Sequence, residues 1–195
     1  VAAVMAGGST DAAAVLVGVN RMFDLGFTKK ELMERGVKLG ADVPYCIMRG
    51  PALSEGIGEI LTELPAPPQC HLVIAKPQIS VSTKAVYGKL RVNELAPEEH
   101  PDIDGMIRAL SAEDLNGVAA RLCNVFEEFL PEEYHEVFHI KNRLLELGAL
   151  NAAMSGSGPT VFGIFREETA AKAALTALKQ RYPQTYLAKP VGKLV

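Results

Sequence analysis

Residues 149–165, Ala149-Leu-Asn-Ala-Ala-Met154-Ser155-Gly156-Ser157-Gly158-Pro159-Thr160-Val-Phe-Gly-Ile-Phe165, read as two apolar strands, Ala149–Met154 and Thr160–Phe165, turned back on each other through a glycine-rich corner. Outward from this pair, helical periodicity covers Glu167–Gln180 and a final strand covers Thr185–Lys189. Upstream, His71–Ala75 (HLVIA) is a compact strand, and Pro77 opens a polar loop into a helix over Ser82–Leu90. Helical spacing then governs Ile103–Leu110, Glu113–Leu122 and Glu132–Leu147, with Gly148 as the C-terminal stop. The order strand, helices, strand, strand, helix, strand predicts a split βαβ, ferredoxin-like α+β sandwich.

Pro65, Pro67 and Pro68 fall within four residues (PAPP), remove backbone donors and stiffen the chain, so a domain boundary is expected there, dividing 1–65 from 66–195. In the first segment, Ser9–Phe23 is helical and apolar on nearly every face, the pattern of a helix buried against a sheet. Thr28–Lys38 is amphipathic, with Thr28 as N-cap, Glu31 as its capping-box partner and Gly40 as a stop. After Pro44 and the apolar run Tyr45–Met48, Ala52–Glu55 and Glu59–Leu64 form a hairpin around Gly56 and Gly58. These short strands are too little sheet for that apolar helix, and uncovered apolar surface costs about 25 cal/mol per Å². The imbalance predicts further sheet outside these residues.

Composition narrows the function classes. Of 195 residues, 48% are hydrophobic and 22% charged, which suits a packed globular core. The net charge of -3 gives no footprint for nucleic acid or an anionic membrane, and leaves room for a charged small-molecule partner. No apolar run is long enough for a membrane span and no basic segment leads a signal core. Cys46, Cys70 and Cys123 are odd in number and widely spaced, so small buried thiols in a reducing cytoplasm are expected. His135 and His139 stand four apart but lack the HExxH order of a zinc helix.

Three segments could carry chemistry. Ala6-Gly7-Gly8-Ser9-Thr10-Asp11 runs straight into the apolar helix, placing small residues and free N–H groups at a helix N-terminus, which favours an anion. Ser9 or Thr10 serving simply as a helix cap is an equal reading of the same residues. A Walker loop is excluded because Ser9, not Lys, follows Gly8, and both Gly-x-Gly pairs lack the third glycine of a dinucleotide fingerprint. Asp42, in KLGADVP, sits on a constrained loop where it could accept a proton; an Asx turn is the plainer reading. Ser155-Gly156-Ser157-Gly158 is either a phosphate-contacting turn or a simple hairpin connection.

Taken together, AGGSTDAAAVL, KLGADVPYC, ALSEGIGEIL, AKPQISVSTKAVY and MSGSGPTVFGIF resemble the GHMP kinases across the whole chain. The resemblance implies α+β GHMP kinase architecture: residues 1–65 as the rest of a ribosomal-protein-S5-like, ATP-binding domain, and 66–195 as the C-terminal ferredoxin-like domain. It implies that about a third of a typical member, including a catalytic lysine, precedes this point. By the same carry-over Val1, Ala2, Ala3, Val4, Met5, Ala6, Gly7, Gly8, Ser9 and Thr10 bind ATP, with Ser9 and Thr10 holding phosphate or Mg²⁺. Val4 stands where the family has glycine, and a β-branched residue in a glycine conformation costs roughly 1–3 kcal/mol. Asp42 becomes the catalytic carboxylate. Asp11, Ser155, Gly156, Ser157 and Gly158 support the phosphate loop, and Thr83 and Tyr87 touch the substrate from one helical face.

The motifs look most like a member that phosphorylates the 2-hydroxyl of a cytidylyl-linked methylerythritol in non-mevalonate isoprenoid synthesis, acting in the cytoplasm as a monomer or homodimer. The alternatives are a homoserine or mevalonate kinase, and a folded but catalytically silent module.

Overall fold

The computed structural model describes residues 5–80, 86–88, 90, 95 and 100–192. Contacts divide the chain into two compact units: one runs up to Ala66 and takes in Val191–Val195, and the other is Pro67–Pro190.

In the first unit three helices pack together: α1 (Gly7–Met22), α2 (Lys29–Gly36) and α3 (Val43–Met48). The Thr28–Glu31 capping box forms in full, each side chain bonding the other's backbone N–H, so the N-terminus of α2 lies where the sequence sets it. Asn20 closes the α1–α2 connection by both accepting from Phe27 N–H and donating to its carbonyl, each at 3.0 Å. Ala13, Leu32, Val43 and Ile47 form the small core. A Cβ on Gly36 would lie 2.8 Å from Val43 Cγ1, so glycine is what lets α2 approach α3 this closely. The hairpin β1 (Ala52–Glu55) and β2 (Ile60–Glu63) pairs antiparallel as the turn residues predict.

The shortage of sheet expected for the apolar helix is what these residues show. Helix α1 packs on α2 and α3, its one fully buried residue is Ala13, and Val15, Val19, Met22 and Phe23 are exposed.

The second unit is the four-stranded sheet that residues 149–165 announce. Its strands β3 (His71–Lys76), β4 (Asn151–Met154), β5 (Val161–Phe165) and β6 (Gln184–Ala188) lie in the order β4-β5-β3-β6, with every neighbour antiparallel. β5 and β6 are joined through α7 (Glu168–Lys179) with β3 between them, the split βαβ arrangement. Between β3 and β4 come α4 (Ile103–Ser111), α5 (Leu115–Ala120), 3₁₀ turns at Val125–Phe129 and Glu132–Tyr134, and α6 (His135–Glu146). The helix expected over Glu113–Leu122 starts later because Glu113 takes a positive φ of 54°. Of the helix expected over Ser82–Leu90, only Val86–Gly88 and Leu90 are described, the former as a helical turn.

One face of the sheet carries the core. Val137, Ile140 and Leu144 of α6 and Ala171, Ala174 and Leu178 of α7 recur at helical spacing and bury against Val73, Ala75, Ala152, Met154, Val161 and Phe165. α6 covers β4 and β5, and α7 covers β3 and β6. Gly163 is the contact point: a Cβ there would lie 3.2 Å from Leu144 Cδ2 and 3.3 Å from Ala149 Cβ.

A polar cluster ties the end of α7 to α6. The Tyr182 hydroxyl donates to Glu136 Oε2 and lies 2.9 Å from His139 Nδ1, while Arg181 donates to Glu136 Oε1 at 2.6 Å. The Tyr182 hydrogen bond, with Arg181 behind it, holds the Glu136 carboxyl below the usual carboxylate range. A depressed acid stabilises the fold above its unfolded pKa of about 4.3, and that stability is lost as pH falls through the lower folded value. Melting temperature should therefore drop on acidification below about pH 4. Glu136→Gln, which keeps an acceptor for Tyr182, should flatten this part of the profile; an unchanged acid slope would contradict the assignment. Thr160 is only 2% exposed and among the described residues its hydroxyl has no partner, so Thr160→Val should leave the melting temperature unchanged or raise it.

Candidate active site

The loop 40–42 is built by its neighbours in the first unit. Val43 N–H bonds back to the Gly40 carbonyl at 3.1 Å and Cys46 N–H to the Asp42 carbonyl at 3.1 Å, which makes a tight entry into α3 with Pro44 in its first turn. Gly58, at φ +119°, brings the hairpin turn against this loop: a Cβ there would sit 3.2 Å from the Ala41 carbonyl oxygen. On another side, a Cβ on Gly40 would lie 3.9 Å from Ser9 Oγ, so the start of α1 stands beside the Asp42 loop.

Asp42 occupies the N-cap of α3 but makes no capping bond with its side chain, and among the described residues its exposed carboxylate has no hydrogen-bond partner. The Asx-turn reading is thereby corrected. The carboxylate is held in place by backbone on both sides and spent on no local bond.

The start of α1 also departs from a simple cap. Ala6 is the N-cap residue, and Met5 and Ala6 both take positive φ, 50° and 57°. Non-glycine residues in that region carry strain of about 1–2 kcal/mol each. Ser9 and Thr10 lie inside the first turn, so neither caps the helix. Thr10 donates its hydroxyl proton to the Ala6 carbonyl at 3.1 Å, leaving the oxygen's lone pairs to accept, and it lies 3.6 Å from Cys46 Sγ. Asp11 falls one residue further along, outside the first turn, rather than at the helix start. Val1, Ala2, Ala3 and Val4 lie outside the described residues, as does Thr83.

In the second unit, Tyr87 keeps 59% of its surface exposed and meets the Phe126 ring edge-on at 4.8 Å. The Ser155–Gly158 corner turns through Gly156 at φ +56° and Gly158 at φ +78°; Ser155 N–H bonds Thr160 O at 2.8 Å, and Gly158 N–H bonds Ser155 O at 3.0 Å. A Cβ on Gly158 would collide with Met154 Sδ at 2.4 Å, so only glycine fits. The segment 124–126 connects these two features: Phe126 meets Tyr87, and Asn124 donates to the carbonyls of Met154 (2.7 Å) and Gly156 (2.9 Å). Sequence reading missed Asn124. Residues 124–130 read Asn-Val-Phe-Glu-Glu-Phe-Leu, with no motif that singles out Asn124.

Of the three thiols expected to be buried, Cys70 is buried and Cys46 half-buried. Burial pushes the Cys70 thiol up, and burial followed by the charges of Glu127 and Glu128 does the same to Cys123, which is exposed rather than buried as expected. Among the described residues no group of three or more His, Cys, Asp or Glu side chains could hold a metal, and no helix is long and apolar enough to cross a membrane.

A three-helix unit with a glycine-led helix beside an exposed carboxylate, and a ferredoxin-like unit with a glycine-rich corner, are the two halves of one α+β architecture. The GHMP kinases N terminal domain matches residues 1–50 and the GHMP kinases C terminal domain matches residues 102–184, together more than half of the chain. The chain belongs to the GHMP kinase family. It is 54% identical over 181 residues to the 4-diphosphocytidyl-2-C-methyl-D-erythritol kinase of Lachnospira eligens, covering 93% of this chain and 62% of that protein. It is 42% identical over 193 residues to the enzyme of that name from Geobacillus sp. (strain WCH70), covering 99% and 66%. The chain thus spans 62–66% of the length of these relatives. A crystal structure of 4-(cytidine 5'-diphospho)-2C-methyl-D-erythritol kinase superposes with a TM-score of 0.79 at 28% identity, covering 96% of this chain and 66% of that one. Homoserine kinase from Cytophaga hutchinsonii, at 20% identity and a TM-score of 0.72, over 93% and 64% of the two chains, shares the fold.

Because Gly58 combines a positive φ with a carbonyl 3.2 Å from its missing Cβ, Gly58→Ala should destabilise the first unit by about 1–3 kcal/mol. Asp42→Asn should melt within a degree or two of the unsubstituted chain, since among the described residues the carboxylate holds nothing and exposed substitutions of that kind stay within about 0.5 kcal/mol. Thermal unfolding of the two variants side by side checks both.

Proposed function

We propose that this chain carries the phosphoryl-transfer machinery of an ATP-dependent kinase that phosphorylates the 2-hydroxyl of 4-diphosphocytidyl-2-C-methyl-D-erythritol. The observation that carries the reading is Asp42: a carboxylate without a structural bond, on a backbone-fixed loop next to Ser9. Identities of 42–54% to kinases named for that substrate support the choice of alcohol over homoserine or mevalonate.

In this reading the residues up to Thr10 receive the nucleotide phosphates on backbone N–H groups at the start of α1, where the helix dipole adds partial positive charge. The substrate hydroxyl gives its proton to an Asp42 carboxylate oxygen as its oxygen attacks the γ-phosphorus. The bond from that phosphorus to the β–γ bridging oxygen breaks, ADP leaves with the electron pair, and the proton on Asp42 passes to solvent. Positioning and charge stabilisation account for most of the rate in such transfers.

Mg²⁺, when bound, neutralises phosphate charge. The donors here fit it: Thr10 keeps an accepting oxygen, Ser9 stands at the same point, and the lack of an acidic cage among the described residues suits an ion that keeps water and phosphate oxygens as ligands. On the substrate side, the exposed Tyr87 ring, steadied edge-on by Phe126, is suited to stack on cytosine, with Thr83 on the ribose. Ser155–Gly158 adds a second glycine-rich turn for phosphate. The working partner is this small molecule, the chain acting in the cytoplasm as a monomer or homodimer.

An ADP-release assay with the cytidylyl alcohol and ATP tests the reading. Turnover should fall about 10²- to 10⁴-fold in Asp42→Asn, with little change in KM for the alcohol. Turnover of homoserine in place of the cytidylyl substrate would overturn the substrate assignment, and absence of any turnover would leave the folded but silent module.

A further inference from the structure

Among the described residues β4 is an edge strand, with β5 on its one paired side. Ser155 N–H bonds across to Thr160, so the preceding residue, Met154, turns its own N–H and carbonyl away from β5 toward the open edge. Among the described residues no further strand meets them there. Two side chains from one short 3₁₀ turn do so instead: Glu127 Oε1 accepts from Met154 N–H at 2.7 Å, and Asn124 Nδ2 donates to the Met154 carbonyl at 2.7 Å and to the Gly156 carbonyl at 2.9 Å. Asn124 Oδ1 in turn accepts from Phe126 N–H at 3.0 Å, which fixes the amide's orientation.

This arrangement is more than an edge closure. The Asn124 fork straddles Ser155 and reaches into the corner itself, fixing the plane of the Gly156–Ser157 peptide. On the opposite side, the Met154 side chain fills the space beside Gly158. Behind the fork, the Glu127 carboxylate is only 8% exposed and its second oxygen is taken by Lys141 Nζ from α6. A buried ion pair is a costly way to satisfy one N–H, and an apolar replacement is often as stable; what it supplies is a single position. Asn124 is thus tied to α6, the helix that packs on the core face of the sheet.

We propose that Asn124, backed by the Glu127–Lys141 pair, is a positioning residue for the Ser155–Gly158 corner, holding its backbone in the geometry that receives nucleotide phosphate. The inference rests on the kinase reading for the identity of the ligand, and on the structure alone for the positioning.

The test compares the full chain with Asn124→Asp, which keeps the acceptor for Phe126 but turns an oxygen toward two carbonyl oxygens. The amide resonances of Gly156, Ser157 and Gly158 should move while those of β3 and β6 stay in place. KM for ATP should rise about tenfold, with kcat within threefold and KM for the alcohol within twofold. Lys141→Met, which reaches the corner only through Glu127, should shift the same amides less, and adding Glu127→Gln should restore them by removing the orphaned charge; failure to restore them overturns the role of the pair. Corner amides that overlay with the wild type in Asn124→Asp overturn the positioning, whatever the chain binds. Shifted amides with an unmoved KM for ATP reduce Asn124 to an edge closure and overturn the inference equally. A wild-type chain that neither binds nor uses ATP contradicts the kinase reading instead, and the amide comparison still decides the positioning on its own.

Discussion

The second unit depends on the contact between Gly163 and Leu144. Leu144 is fully buried on α6, and a side chain at Gly163 on β5 would press on it at 3.2–3.3 Å, so glycine lets the helix settle closely against the sheet. From that contact follow the burial of Val137 and Ile140, the covering of β4 and β5, and the placement of Lys141 on α6, where it pairs with Glu127. Close packing of this kind transmits position, because interiors at crystal-like density leave little room for adjustment.

The first unit applies the same device at a smaller scale. Gly36 admits Val43 and Ile47, Gly40 leaves space beside Ser9, and Gly58 leaves space for the Ala41 carbonyl. Gly36 thus admits the helix that follows the loop, and Gly58 admits the loop's own Ala41 carbonyl. Their common consequence is that Asp42 stands at a helix start with its carboxylate uncommitted, although an aspartate at that position ordinarily caps the helix. A side chain withheld from the stabilising bond nearest to it is available for chemistry, which is the physical content of a constrained functional loop.

Much of this was legible in the sequence because local rules decide it. The capping box at Thr28 and Glu31, the hairpin around Gly56 and Gly58, and the strand–corner–strand of residues 149–165 follow from residue preferences over a few positions, and all three form. The readings that failed were those that needed a neighbour. Ser9 and Thr10 were equal candidates for a cap until the left-handed turn at Met5 and Ala6 moved the helix start upstream. Asn124 and Glu127 carry no sequence motif that announces them, since their partners at Met154 and Gly156 lie 27 to 32 residues away.

The sequence by itself determined the elements, the order β, helices, β, β, α, β, and the residue types at each candidate site, because periodicity, capping and turn chemistry act within about one helical turn or one hairpin. Tertiary structure alone decided which polar groups are committed and which are free. Whether Asp42 caps a helix, whether Thr10 keeps an accepting oxygen, and what meets the open edge of β4 depend on distances between segments far apart in the chain. Those distances are set by packing, and packing is where the sequence pattern stops and close contact between side chains begins.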